Sequence, residues 1–401
     1  EGPSWGPLAG RYEDRTRPRR ILALDGGGIR GVLTLQVLAR MEEVLAEESG
    51  QGEDFRLCHF FDYIGGTSTG AIIAAGLAAG HTARWLSDFY IRTGPKMFEK
   101  AFLLHRLKNL FKSEPLEQEL KAVFGADTTL GTDGALKSLL LVVTRNVTTD
   151  SPWPISSNPL AKYNERGRQD CNLNIPLWQL VRASTAAPVY FPPEVMQWDP
   201  ADPAKTFLFE DGGLTPYNNP AFLLARMATQ APYRLGWKTG ERNLLVVSVG
   251  TGSAPNVQSE VSGGRNALSN LVNFPGALMY GAQVDQDINC RTIGRCVHGD
   301  RIDSEVGDLV PRDAEGRPVP VSEDLGRQFL YARYNAELSR AWLDSRGLND
   351  VDPSKVAQLD SVEHIADLVR VGRALADDVR PEHFALERFG HFEGPQGEPK
   401  P

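Results

Sequence analysis

The sequence predicts an α/β protein, a sheet carrying helices on its faces. Two observations support this. In the first eighty residues a short apolar run, a turn of small residues and a helical pattern occur twice in succession. Further on, residues 139–144 (Leu-Leu-Leu-Val-Val-Thr) and 244–249 (Leu-Leu-Val-Val-Ser-Val) are uncharged and partly β-branched, the signature of strands buried on both faces.

The first unit runs from Arg-Ile-Leu-Ala-Leu at 20–24 into Asp25-Gly26-Gly27-Gly28-Ile29-Arg30-Gly31. It continues with Val32, Leu35, Leu38, Met41 and Leu45 at helical spacing. The second has Phe-Phe-Asp-Tyr-Ile at 60–64, the turn Gly66-Thr67-Ser68-Thr69-Gly70, and an apolar helix from Ala71. Residues 85–124 read as helical. Within them Lys96, Lys100, Arg106, Lys108 and Lys112 interleave with Phe98, Phe102, Leu103, Leu107, Leu110 and Phe111. That pattern fits a helix covering the sheet, the simpler expectation, or an interfacial helix touching anionic lipid. A short strand at 207–210 leads into Asp211-Gly212-Gly213, and Gly250-Thr251-Gly252 closes the strand at 244–249. Residues 278–290, 327–346 and 361–379 are expected to be helices, and the Gly/Pro-rich end from 390 a loose tail. No internal repeat or clear linker is visible. The expected layout is an N-terminal extension (1–19), a catalytic core (20–255), a helical C-terminal addition packed on the core (256–389) and the tail (390–401).

Composition narrows the function classes. The 401 residues are 41% hydrophobic and 23% charged, with net charge -8. Mean hydropathy is -0.30 and the pI about 5.5. An acidic balance argues against nucleic acid as the main partner. No run of about 18 apolar residues offers a membrane span. Arg15, Arg17, Arg19 and Arg20 make a basic stretch, but the apolar residues after it run straight into a glycine loop, unlike a twin-arginine signal. The chain begins with Glu1, which leaves a removed leader and secretion of a processed form open. Cys58, Cys171, Cys290 and Cys296 lack metal-ligand spacing, and reduced thiols in a cytoplasmic protein are expected.

Gly66-Thr67-Ser68-Thr69-Gly70 places a serine on a sharp strand-to-helix bend, the arrangement that exposes a nucleophile in serine hydrolases. Gly26 to Gly31 matches G-x-G-x-x-G, a dinucleotide fingerprint. That reading requires an acidic residue ending a second strand about 20 positions on. Glu47 and Glu48 are at that distance, but at the end of a helix. A nucleotide-binding regulatory protein is thus the alternative, and a cradle of peptide N–H groups for an oxyanion the preferred use. A base is also needed. His59, His81, His105, His298, His364, His383 and His391 are the histidines, and Ser68, Asp211, His298 could be assembled as a triad. None of these histidines is expected to end a strand beside Gly or Asp, whereas Asp211 is expected to end a strand and precedes two glycines. A carboxylate shielded from water can itself serve as base.

Four ordered motifs resemble the patatin-like phospholipases: the loop 25–31, the turn 66–70, Ala-Ser-Thr-Ala-Ala-Pro-Val-Tyr-Phe-Pro at 183–192, and Asp211-Gly212-Gly213. The likeness covers about residues 20–255, and 302–308 looks more loosely similar to bacterial members. The resemblance implies a three-layer α/β/α sandwich around a mostly parallel central sheet. It also implies a Ser-Asp dyad without histidine, with Ser68 as nucleophile and Asp211 as base and then acid. Backbone amides of Gly26, Gly27 and Gly28 would form the oxyanion hole, and Arg30 would brace the loop or meet substrate phosphate. Thr67 and Thr69 would flank the substrate, while Gly31, Gly66, Gly70, Gly212 and Gly213 shape the motifs. The implied substrate is a phospholipid or related acyl lipid, hydrolysed without metal or cofactor, and peripheral membrane contact is left open. A regulatory nucleotide or protein partner remains open.

Overall fold

A computed structural model describes residues 4–98, 115–188, 191–253 and 267–394, with backbone alone over 267–276. Its centre is a nine-stranded sheet in the order β5-β6-β3-β2-β1-β7-β9-β8, with β4 paired to β3. The strands are β1 (Arg19–Leu24), β2 (Tyr63–Thr67), β3 (Leu139–Asn146), β4 (Ser151–Ser156), β5 (Glu194–Gln197), β6 (Thr206–Asp211), β7 (Leu244–Val249), β8 (Arg295–His298) and β9 (Leu330–Tyr334). The pairs from β3 through β8 are parallel; β4, β5 and β6 pair antiparallel.

Alternation along β1 shows why helices cover both faces. Leu22 and Leu24 enter one apolar cluster, with residues of α1 (Gly31–Ser49), α2 (Thr69–Ala78), α3 (Ala83–Phe98), α4 (Pro115–Phe124), α5 (Leu177–Ser184) and α8 (Ile365–Ala376). Ile21 and Ala23 enter a second, with α6 (Ala221–Thr229) and Cys290 of α7 (Ala267–Ile293). The three-layer α/β/α sandwich expected from the resemblance is therefore the fold observed, with its C-terminal helical additions.

Three expectations are corrected. Residues 327–346 are not one helix: Leu330–Tyr334 is a fully buried strand, and helix resumes only at Arg340–Ser345. A run of five buried residues has no exposed face to set a period, and its flanking charges mimic an amphipathic helix. Residues 390–394 are docked rather than loose: the His391 carbonyl accepts from Arg20, and Glu393 N–H donates to the His59 carbonyl. The strand read at 60–64 is displaced as well: Phe60 ends a short helix, Leu57–Phe60, and the strand is Tyr63–Thr67. Within the N-terminal extension, Arg11 and Tyr12 are buried against Asp62. Most of the basic–apolar segment 96–112 lies outside the described residues. No helix among the described residues is long and apolar enough to cross a membrane.

Candidate active site

Register on β3 explains how two distant residues meet. Val143 pairs with Thr67, the last residue of β2, and the next residue, Thr144, pairs with Asp211, the last residue of β6. β4 occupies the other edge of β3 at both positions. β2 and β6 therefore share one lane from opposite directions, and their ends meet.

Ser68 follows β2 at φ 56°, ψ -123°, a left-handed conformation that is strained for a residue with a Cβ. Small neighbours permit it. A Cβ on Gly66 would lie 2.0 Å from the Gly70 carbonyl oxygen, and one on Gly70 would lie 2.3 Å from that of Leu24. The Ser68 carbonyl accepts the Ala71 N–H, opening α2 directly beneath the serine. Ser184 holds the bend from the side: its hydroxyl accepts the Ser68 N–H at 2.9 Å and donates to the Val143 carbonyl at 2.5 Å.

Ser68 Oγ donates to Asp211 Oδ2 at 2.6 Å. Asp211 Oδ1 accepts the Gly213 N–H at 2.7 Å, which fixes the carboxylate plane. The Asp211 N–H is itself held by the Ala186 carbonyl at 3.0 Å. Asp211 is 5% exposed. Burial pushes its pKa up to about 6, against the lowering by the Ser68 hydroxyl and the Gly213 amide.

The glycine loop lies against this pair: a Cβ on Gly26 would come within 3.2 Å of Ser68 Cβ. Its three amides are not equivalent. Gly26 N–H donates to the Asn218 carbonyl at 3.1 Å, so it is committed to the fold. No described residue accepts from Gly27 or Gly28 N–H, and Gly28 has φ +59°. The Gly26 carbonyl is clamped by the Thr251 hydroxyl at 2.9 Å. Arg30 braces the loop by its Nε, 3.5 Å from the Gly27 carbonyl, and burial lowers its pKa to about 10.

The family model for patatin-like phospholipases matches residues 22–225 of the chain. The chain belongs to this family. A Vibrio cholerae protein named cGAMP-activated phospholipase is 32% identical over 229 residues, which are 54% of this chain and 59% of that one. An Escherichia coli protein of the same name is 27% identical over 241 residues, 59% and 63% of the two chains. Patatin-like protein 4 of Arabidopsis thaliana is 31% identical over 253 residues, 58% and 59%. The matched region thus spans about three-fifths of each of these patatin-like relatives.

Other residues singled out in the sequence find different places. Thr67 and Thr69 are buried, and their hydroxyls are spent on the Tyr217 carbonyl and the Tyr90 hydroxyl, each at 2.6 Å. Gly31 lets α1 approach Thr69, and Gly212 packs on the Val143 carbonyl. Contrary to the expectation, His298 does end a strand beside a glycine: it is the last residue of β8 and precedes Gly299. β8 is nonetheless four strands from β2, on the order of 20 Å across the sheet. There it stacks on His383 at 4.4 Å, and burial lowers its pKa to about 4. The Ser68–Asp211–His298 triad is therefore not assembled. Glu47 and Glu48 lie inside α1, so the dinucleotide pattern lacks its second strand. All four cysteines are free and buried. A cavity of about 380 Å³ lined by Tyr280, Asp287, Arg291, Arg333 and Glu337, among others, includes neither Ser68 nor Asp211. Residue-by-residue reading missed Ser184 and Ala186, although both stand in the quoted 183–192 motif. It missed Asn218 and Thr251 too, whose only signal was closeness to glycine turns.

Proposed function

We propose that this protein is a lipid acyl hydrolase that cleaves carboxylic esters of phospholipids or related lipids through Ser68 and Asp211. The observation that carries the reading is the 2.6 Å bond from Ser68 Oγ to a buried carboxylate, with no imidazole bonded to either group among the described residues. A carboxyl raised to about 6 is ionised at neutral pH yet basic enough to take a proton in the transition state.

Ser68 Oγ attacks the ester carbonyl carbon as its proton passes to Asp211 Oδ2. The carbonyl electrons move onto oxygen, and the Gly27 and Gly28 amides receive that charge. Collapse breaks the bond to the alcohol, which leaves as lysolipid with the proton from Asp211, and the acyl group stays on Ser68. Water then gives a proton to Asp211 and attacks the acyl carbon. Fatty acid departs, and the proton returns to Ser68. The strained bend keeps Oγ forward, and the N-terminus of α2 behind it favours the negative charge that develops. Membership in a family named for phospholipases, and relatives so named, support the lipid substrate.

The test is lipid mass spectrometry on vesicles of defined phospholipids, comparing the wild type with Ser68→Ala and with a fluorophosphonate that labels activated serines. Assays are run with and without cGAMP, since two relatives carry names that say it activates them. Lysolipid and fatty acid from the wild type alone, with a label on Ser68, are expected. An unlabelled, inactive wild type under both conditions defeats the reading.

A further inference from the structure

Between Asp25 and Ile29 the loop has three consecutive glycines and so no side chain of its own. Such a stretch is conformationally loose unless gripped from outside. One grip is at Ile29, whose side chain is fully buried and whose N–H donates to the Leu359 carbonyl at 2.9 Å. A second is on the backbone of Gly26, held by Asn218 and Thr251. The third, made side chain to side chain, is at Asp25, also fully buried. Arg333 of β9 meets it with two parallel bonds, Nη1 to Oδ1 at 2.7 Å and Nη2 to Oδ2 at 2.6 Å. Gln283 of α7 donates to Oδ2 at 2.7 Å, and the Ser248 hydroxyl accepts from Arg333 Nη1 at 2.7 Å. A two-pronged guanidinium–carboxylate contact fixes the plane of the carboxylate as well as its place. Asp25 carries the last side chain before the amides of Gly27 and Gly28, so its orientation, together with the Asn218 and Thr251 bonds to Gly26, sets theirs. All three side chains of this grip come from beyond the matched segment 22–225.

We propose that Arg333 is a positioning residue for ester hydrolysis: by gripping Asp25 it aims the Gly27 and Gly28 amides at the developing oxyanion. The proposal rests on the reading of those amides as oxyanion donors. Arg333 bonds to Asp25 and Ser248 and acts through the loop. Oxyanion contacts form in the transition state and not with bound ester, so loss of aim lowers kcat and leaves KM nearly unchanged. Lysine is no substitute, because one ammonium cannot hold both carboxylate oxygens in a plane.

The test compares wild type, Arg333→Lys, Arg333→Met and Gln283→Leu on a short-chain p-nitrophenyl ester, with thermal midpoints and the rate of fluorophosphonate labelling alongside. Arg295→Met is the control. Arg295 is as buried as Arg333 and bonds to buried Glu241 at 2.9 Å, but none of its bonds reaches the glycine loop. Arg333→Met is expected to lose kcat roughly 10- to 100-fold at a KM within about twofold, as a loop misplaced by about an ångström would. Arg333→Lys should fall between, and uncharged Gln283→Leu should lose a few-fold with little change in midpoint. Labelling should slow in the same order. Arg295→Met should lower the midpoint at least as far as Arg333→Met while kcat stays within about twofold. If Arg333→Met does not fold, Gln283→Leu answers the question. Unchanged kcat in folded Arg333→Lys and Gln283→Leu overturns the proposal, as does an equal loss in Arg295→Met. A wild type that neither labels nor hydrolyses removes the reading of Ser68 itself, a different result.

Discussion

Two buried aspartates flank strand β2. Asp62 precedes its first residue, and Asp211 faces the serine that follows its last. Both are almost completely buried, yet their protonation is driven in opposite directions. Asp62 accepts from Arg20 Nε at 2.9 Å and Arg11 Nε at 3.0 Å, with Arg19 at 3.7 Å. Burial alone would raise its pKa, but the surrounding guanidinium groups outweigh that and hold it well below the usual carboxylate range. Asp211 has a hydroxyl and a peptide N–H as its hydrogen-bond partners, and burial wins. Depth does not decide whether a carboxylate is structural or reactive; the neighbours do.

The sharpest way to test this contrast is to remove each carboxylate. Asp211→Asn and Ser68→Ala should each cut ester hydrolysis by roughly 10⁴-fold or more while circular dichroism stays native. Asp62→Asn should do the reverse. It leaves three buried cations under-compensated, and urea unfolding should show a loss of about 3–5 kcal/mol, with kcat of the folded protein unchanged.

Acidity separates the two ends next. Asp62 has a depressed folded pKa, so its contribution to stability is full above the ordinary carboxylate range and is lost as pH falls through the folded value. Asp211 has a raised one. Its favourable contribution is complete below its ordinary 3.8 and gone once pH passes about 6. Asp211→Asn should therefore match wild type near pH 4 and exceed it in stability by about 3 kcal/mol at pH 8. Wild-type kcat/KM should rise tenfold per pH unit below about 6 and level off above it. Equal stabilities of wild type and Asp211→Asn at pH 8 contradict the raised value. The smallest effect is expected at His298. Replacing it with Ala should change hydrolysis by less than about threefold, since its ring packs on His383 and Tyr334.

What could be read from the chain follows the same physics. β1, β3 and β7 were legible because buried parallel strands are continuous apolar runs. β2 was read three residues early, at 60–64, because its own sequence Tyr-Ile-Gly-Gly-Thr has only two large apolar side chains. Ser68 and Asp211 were legible as addresses, each at a strand end beside glycines. Their contact followed only from the family resemblance and not from the residues, because it depends on β6 entering the lane of β2, a register between segments more than a hundred residues apart. The turning of the Gly26 amide toward Asn218 was equally invisible, since a loop without side chains leaves no pattern. Arg333 was hidden for another reason. A charged residue in a five-residue buried strand looks like the polar face of a helix until its partner, Asp25, is placed beside it.

The pairing of β1 with β7 has a practical corollary. Every residue from Arg19 to Leu24 is matched to one from Leu244 to Val249, whereas the family-model match stops at residue 225. A fragment that keeps β1 but ends there turns β1 into an edge strand, with six consecutive positions stripped of their partners, all carrying buried side chains. Such a row recruits any passing strand. The trimmed piece should collect in inclusion bodies, and no cut upstream of residue 334 leaves β7 with β9 on its outer side.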